Sequence, residues 1–234
     1  MKPFRLAILI CTFAVFGFIC PQNPNVVFAD QQEKTAKGNI SFHWAFGALV
    51  GKESNRKLTS ITRDTSLKTG DQFKMMVELK KNCFVYLIYH SGQGEIQLLF
   101  PNRIKQFSDD YKTFEKYYIP QGDLWFALDE NVGHEAFYLL ASAKRLTSLE
   151  ALLNDYEFAD SEGKPELTAK ILTEIREIKR QHKTLTAAAE RPVSIGGTVR
   201  GIKDEQVLSH DVASLAIEIS ATDFYSRTFT IEHK

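Results

Sequence analysis

The chain has 234 residues, 44% of them hydrophobic, and 29 basic against 29 acidic side chains leave no formal net charge. That balance argues against a nucleic-acid binder, which shows a positive excess or a clustered basic face. The length is enough to bury a sizeable core as one domain, or as one domain with an insertion.

The first element in chain order is a targeting segment. Lys2 and Arg5 precede an apolar run from Leu6 to Cys20, which Pro21, Gln22 and Asn23 interrupt. A run of about 15 residues is short of the roughly 20 that a spanning helix needs, so the expectation is a secretory signal rather than an anchor. Ala29, with Val27 two positions before it, places cleavage ahead of Asp30. Bulky Ile19 before Cys20 argues against a lipid attachment motif. Removing residues 1–29 leaves 27 basic against 29 acidic residues, a formal charge of −2, and no membrane span is expected in what remains. The expected location is the periplasm or the exterior. Cys83 is then the lone cysteine, and its place at the head of the run "CFVYLIY" predicts a buried thiol.

Residues 30–38 read as a polar, flexible lead-in. "ISFHWAFGALVG" alternates with period two, Phe42, Trp44 and Phe46 on one face and His43 on the other. "KLTSITR", "QFKMMVELK" and "CFVYLIYH" follow as strands, with "KTGD" as a turn before the second. The glycines of "HSGQGE" suit a hairpin turn into "IQLLFPN", which Pro101 ends. Arg103 to Lys116 reads as a long loop before the short strand "KYYIP". "LWFAL" and "EAFYLLAS" are two further strands, and the intervening "DENVGH" reads as a turn between neighbouring strands rather than a site.

After Ser142 the period changes. Thr147 and Glu150 have capping-box spacing ahead of a helix bearing Leu149, Leu152, Leu153 and Tyr156. A second helix begins near Pro165 with an apolar stripe of Leu167, Ile171, Ile175, Ile178 and Leu185, expected to pack on the parent domain. Its densest basic stretch, "REIKRQHK" from Arg176 to Lys183, has glutamates interleaved along the helix. "AAAERPVSIGGTVRG" leads out of the helices, and "SLAIEIS" and "FYSRTFTIEH" supply the last strands.

The fold class these elements predict is mainly β. The expected architecture is an antiparallel β-sandwich, immunoglobulin-like or jelly-roll-like, with an inserted α-helical hairpin. Residues 39–145 form the sandwich core, 146–190 the hairpin, and 191–234 the strands that complete the sheets.

Signatures of chemistry are missing. The six histidines are scattered without metal-ligand spacing, and "SIGGTVRG" has neither a dinucleotide fingerprint nor a phosphate-loop lysine. No catalytic residue, metal ligand or cofactor is therefore expected. Asp109 with Asp110, and Asp129 with Glu130, are sequence neighbours that cannot face each other across a cleft. A hydrolase would need a distant pair such as Asp123 with Glu135. The aromatics from Phe107 to Phe126 say more, because flat rings in a polar segment can grip a peptide or stack on sugar. Tyr111, Phe114, Tyr117, Tyr118 and Trp125 are the candidate ligand or partner surface.

The order of these segments also resembles the bacterial family called domain of unknown function 4384. Gly70 and Asp71, Cys83, Tyr86 and Leu87, Gly92 and Gly94, and Phe100 to Asn102 carry the resemblance. Ile119 and Pro120, Phe126, Gly133, Glu135 and the "YLLAS" run complete it, over roughly residues 67–145. The resemblance implies an accessory module, of a kind joined to kinase-like or caspase-like domains or standing in exported proteins, without established catalytic residues. The expected function is thus a non-enzymatic, protein-binding module of the cell envelope. The alternative is a carbohydrate- or peptidoglycan-binding module using exposed aromatics.

Overall fold

The computed structural model describes residues 39–51, 55–183, 188–193 and 211–234. The signal segment, the lead-in, Leu185, His210 and the glycines of "SIGGTVRG" lie outside the described residues.

Twelve strands among these residues form two sheets packed face to face. In chain order they are β1 (Asn39–Val50), β2 (Lys57–Ser60), β3 (Asp64–Leu67), β4 (Gln72–Leu79), β5 (Phe84–His90) and β6 (Ile96–Phe100). Next come β7 (Lys116–Ile119), β8 (Phe126–Ala127), β9 (Gly133–Ser142), β10 (Ala189–Pro192), β11 (Ile217–Thr222) and β12 (Phe224–His233). The helices are α1 (Gln106–Asp109), α2 (Thr147–Phe158) and α3 (Lys164–Gln181), with a 3-10 turn at Val212–Leu215. One sheet runs β10-β11-β1-β4-β7, with β2 also on β1 and β8 also on β4. The other runs β3-β12-β9-β5-β6. All strand pairs are antiparallel except β3 with β12. The molecule is therefore a sandwich with one mixed sheet, not a closed barrel.

Period-two patterning explains the two inner faces. Phe42, Trp44 and Phe46 of β1 and Phe73, Met75 and Val77 of β4 point into one core, facing Val85, Leu87, Phe137, Leu139 and Phe229 of the second sheet. His43 lies on the opposite face, with its Nδ1 3.0 Å from Glu78 Oε2. Phe46 is the hub of the core, with ring centroids 5.1 Å from Phe137, 5.4 Å from Phe229, 6.0 Å from Trp44 and 6.1 Å from Phe73. Cys83 is buried here, and desolvation pushes its thiol up to about 11.

The outer face of the second sheet would expose Tyr86, Ile88, Ile96 and Leu140. The helical hairpin covers it with Leu149, Leu153, Tyr156, Ile171, Ile175 and Ile178. The stripe of α3 thus packs inward, as its 3-4 spacing demands. The capping-box expectation fails: α2 starts at Thr147, but no side chain caps it. Glu150 turns instead to the sheet, where it accepts from Tyr86 Oη at 2.5 Å and from the Arg145 guanidinium at 2.6 and 2.5 Å.

Two connections differ from their sequence reading. "DENVGH" is a turn, with Asn131 donating to Asp129 through its backbone and side chain, both at 2.8 Å. The strands it joins are not paired, however: β8 lies on β4 and β9 between β12 and β5, so the turn carries the chain from one sheet to the other. In the β5–β6 hairpin only Gly94 takes a positive φ, of 88°. Gly92 serves close approach instead, since a Cβ there would sit 3.3 Å from the backbone nitrogen of His134.

Candidate functional site

A concavity lies between the last strands of the two sheets. β6 ends one sheet and β7 ends the other, and among the described residues no strand pairs with the outer edge of either. Between them opens a cleft of about 570 Å³. Its amide groups are Gln97, Asn102, Gln106 and Gln121, and its rings include Tyr117 and Phe126. Pro101 and Pro120, both after cis peptide bonds, follow β6 and β7 directly.

Backbone geometry sets what this edge offers. The amide of Ile96 donates to Tyr156 Oη of α2 at 3.0 Å, so it points away from β5. Antiparallel pairing alternates residues between bonded and outward-facing, which puts the N–H and C=O of Leu98 on the same outer side. The hairpin helices thus cover the start of the β6 edge and leave its middle facing the cleft. An uncovered strand edge is a template for another chain.

The aromatic segment divides into four groups. Phe107 and Tyr111 turn inward. Tyr111 sits 4.8 Å from Phe107 and 5.9 Å from Phe100, and its hydroxyl accepts the amide of Val85 at 2.9 Å. Burial raises its phenol well above the usual value. Tyr117 continues this row of rings, 5.3 Å from Phe100, into the cleft, and its hydroxyl accepts from the Lys112 amide at 2.7 Å. Phe114 is 67% exposed and stands apart from the cleft, under the Lys80 ammonium at 4.7 Å. The segment read as a long loop carries the one-turn helix α1, with Asp109 and Asp110 exposed beside it.

Tyr118 and Trp125 build a second feature, on the outer face of the first sheet. They flank Lys74, whose ammonium is 5.2 Å from one ring centroid and 5.8 Å from the other. The same ammonium donates to the carbonyls of Gly122 and Leu124, the latter at 2.9 Å. Burial lowers the Lys74 pKa, while Asp123 and Asp211 oppose that shift. These groups border a hollow of about 450 Å³. Lys74 was not legible as a site, because in "QFKMMVELK" it reads as the polar member of an alternating strand. The available signal was Met76, two positions on and on the same face, which showed that this face is covered.

Asp123 and Glu135 are not brought together. Asp123 borders the Lys74 hollow, whereas Glu135 is buried near the start of β9 and accepts a hydrogen bond from Tyr89. Among the described residues no group of three His, Cys, Asp or Glu is placed to hold a metal ion, and no helix there is long and apolar enough to cross a membrane.

No curated protein and no solved structure matches the chain. A family model does match part of it, about a third of the length, from the end of β3 through β9. Residues 66–145, which supply both walls of the cleft, match the Domain of unknown function (DUF4384).

Proposed function

We propose that the protein is an exported, non-enzymatic accessory module of the bacterial cell envelope that takes an extended segment of a partner protein into the cleft between β6 and β7. The observation that carries this reading is the pair of strand edges, unpaired among the described residues, that face one opening. Strand addition supplies affinity through main-chain hydrogen bonds and selectivity through alternate side chains. Leu98 offers the main-chain groups, Tyr117 and Phe126 give apolar contact, and Gln97 and Gln121 can pair with the incoming backbone. The basic-then-apolar opening of the sequence supports export, and the accessory character that the family resemblance implies supports a binding role.

A photo-crosslinking residue at Gln97 or Gln121 in the whole chain tests the proposal, compared with the same probe at Lys57 on β2. Adducts to one protein from the cleft positions alone, with slowed hydrogen exchange at Leu98 in that complex, are the expected result. Equal adducts from all three positions, or none, would defeat it.

A glycan ligand is the second reading, favoured by the four amides beside Tyr117. Co-sedimentation with purified peptidoglycan that Tyr117→Ala abolishes, without any protein adduct, would establish it in place of the first.

A further inference from the structure

The basic stretch at the end of α3 gathers its cations on one side of the helix. Arg176, Lys179 and Arg180 stand at i, i+3 and i+4, which confines them to an arc of about 100° on the helix, and Lys183 follows just past its end. That arc adjoins the buried stripe of Ile171, Ile175 and Ile178. The four cations therefore lean over β12, where with Phe224, Tyr225 and Ser226 they border a concavity of about 700 Å³. Glu174 falls on the far side of the helix.

The carboxylates that do reach this place are already engaged. Glu190 accepts from Tyr225 Oη at 2.9 Å and from Arg227 at 2.7 Å, and Glu177 accepts from Arg180. Two of the other cations are held by neutral groups. Lys179 donates to Thr228 Oγ1 at 3.0 Å, and Arg176 donates to Leu172 O at 3.1 Å and Thr173 Oγ1 at 2.9 Å. Among the described residues five cations, counting Arg227, thus meet two carboxylates. The helix C-terminus adds only about half a negative charge, so it does not account for the excess. One wall is flat and aromatic, with the His182 ring 4.4 Å from that of Phe224.

We propose that this concavity binds a phosphate-bearing ligand, with Arg176 and Lys183 as the principal donors and the Phe224–His182 wall against the body that carries the phosphate. A compact group of more than one negative charge satisfies several cations at once, and guanidinium forks match its oxygens. The phosphate can belong to a soluble ester or to a lipid headgroup. The proposal is independent of the cleft between β6 and β7.

The test titrates the whole chain with pyrophosphate and, separately, with phosphatidylcholine vesicles with and without phosphatidylglycerol, at low and at high salt. Arg176→Gln with Lys183→Gln removes two exposed charges that anchor no buried contact, and Lys105→Gln with Lys170→Gln is the control pair. Expected is salt-sensitive binding that the first pair weakens by about a hundredfold, roughly tenfold per lost charge-assisted contact, and the control pair leaves unchanged. Pyrophosphate binding identifies a soluble ligand, and binding confined to phosphatidylglycerol vesicles identifies a lipid. Binding of neither probe, or equal losses in both variants, overturns the proposal.

Discussion

The hydroxyl of Tyr86 donates to Glu150 at 2.5 Å and accepts the amide of Leu146 at 3.0 Å, so a single phenol on β5 ties the sheet to the start of α2. Tyr86 is fully buried and Glu150 nearly so, and Arg145 closes the group from the solvent side. Tyr86→Phe leaves a buried amide and a carboxylate each short of a partner. It is expected to lower stability by about 1–3 kcal/mol, read as a shift in urea midpoint. An unchanged midpoint would mean that the hairpin is held by apolar contact alone.

Two more tyrosines repeat the arrangement, Tyr89 with Glu135 and Tyr225 with Glu190. Burial, reinforced by the facing carboxylate, raises all three phenols above their ordinary value of 10.0. In the unfolded chain the same groups ionise near that value. Their contribution to stability is therefore complete below about pH 10 and is lost as the pH climbs toward the folded-state pKa values. The fold is expected to hold through neutral pH and fail in strong alkali, with phenolate absorbance appearing together with loss of the β signal in circular dichroism. Three tyrosines titrating near pH 10 in a protein that stays folded would refute this.

At the centre of the sandwich, Phe46 touches four other rings, all from the inner faces. Phe46→Ala is expected to cost about 3–5 kcal/mol through lost transfer energy and the cavity left behind. Denaturant unfolding measures it. Phe114→Ala is the contrast, because that ring is 67% exposed, and it is expected to change stability by less than about 0.5 kcal/mol.

The two glycines of the β5–β6 hairpin separate a backbone effect from a packing effect. Gly94 has φ of 88°, and a methyl group there would meet nothing within 4 Å, so Gly94→Ala is expected to cost about 1 kcal/mol through conformation alone. Gly94→Asn is expected to recover part of that, since asparagine tolerates positive φ better. Gly92→Ala meets the His134 backbone, and no choice of polar side chain relieves that contact. Thermal unfolding of the three variants distinguishes the cases, about 2–4 °C per kcal/mol in a chain of this size.

Much of the fold was readable from periodicity. β1, β4, β5, β6, β9 and β12 carry their cores as plain alternation or apolar runs, and the switch to 3-4 spacing after Ser142 marked both helices. What stayed hidden depends on partners distant in sequence. β3 is four residues, "DTSL", with no apolar alternation, and exists because Thr230 to His233 lie alongside it. Glu150 looked like a helix cap because Tyr86, 64 residues away, could not be seen to claim it. The aromatic surface was legible only as a set of rings. Tyr117 and Phe126 reach the cleft and Tyr111 does not, because β7 and β8 lie on β4 whereas the strap after α1 folds back over β5.

The placement of β1 and β12 bears on how the matched segment can be inherited. Each sits in the interior of its sheet, β1 between β11 and β4 and β12 between β3 and β9, yet both lie outside residues 66–145. Excised at those limits, the fragment would keep β5, β6 and β9 together but strip β4 and β9 of a neighbour each and take Phe46 away from Phe73 and Phe137. The stretch that the family model describes is thus half of a clasp: in this chain its interior is completed only when the flanking strands close on it from both ends.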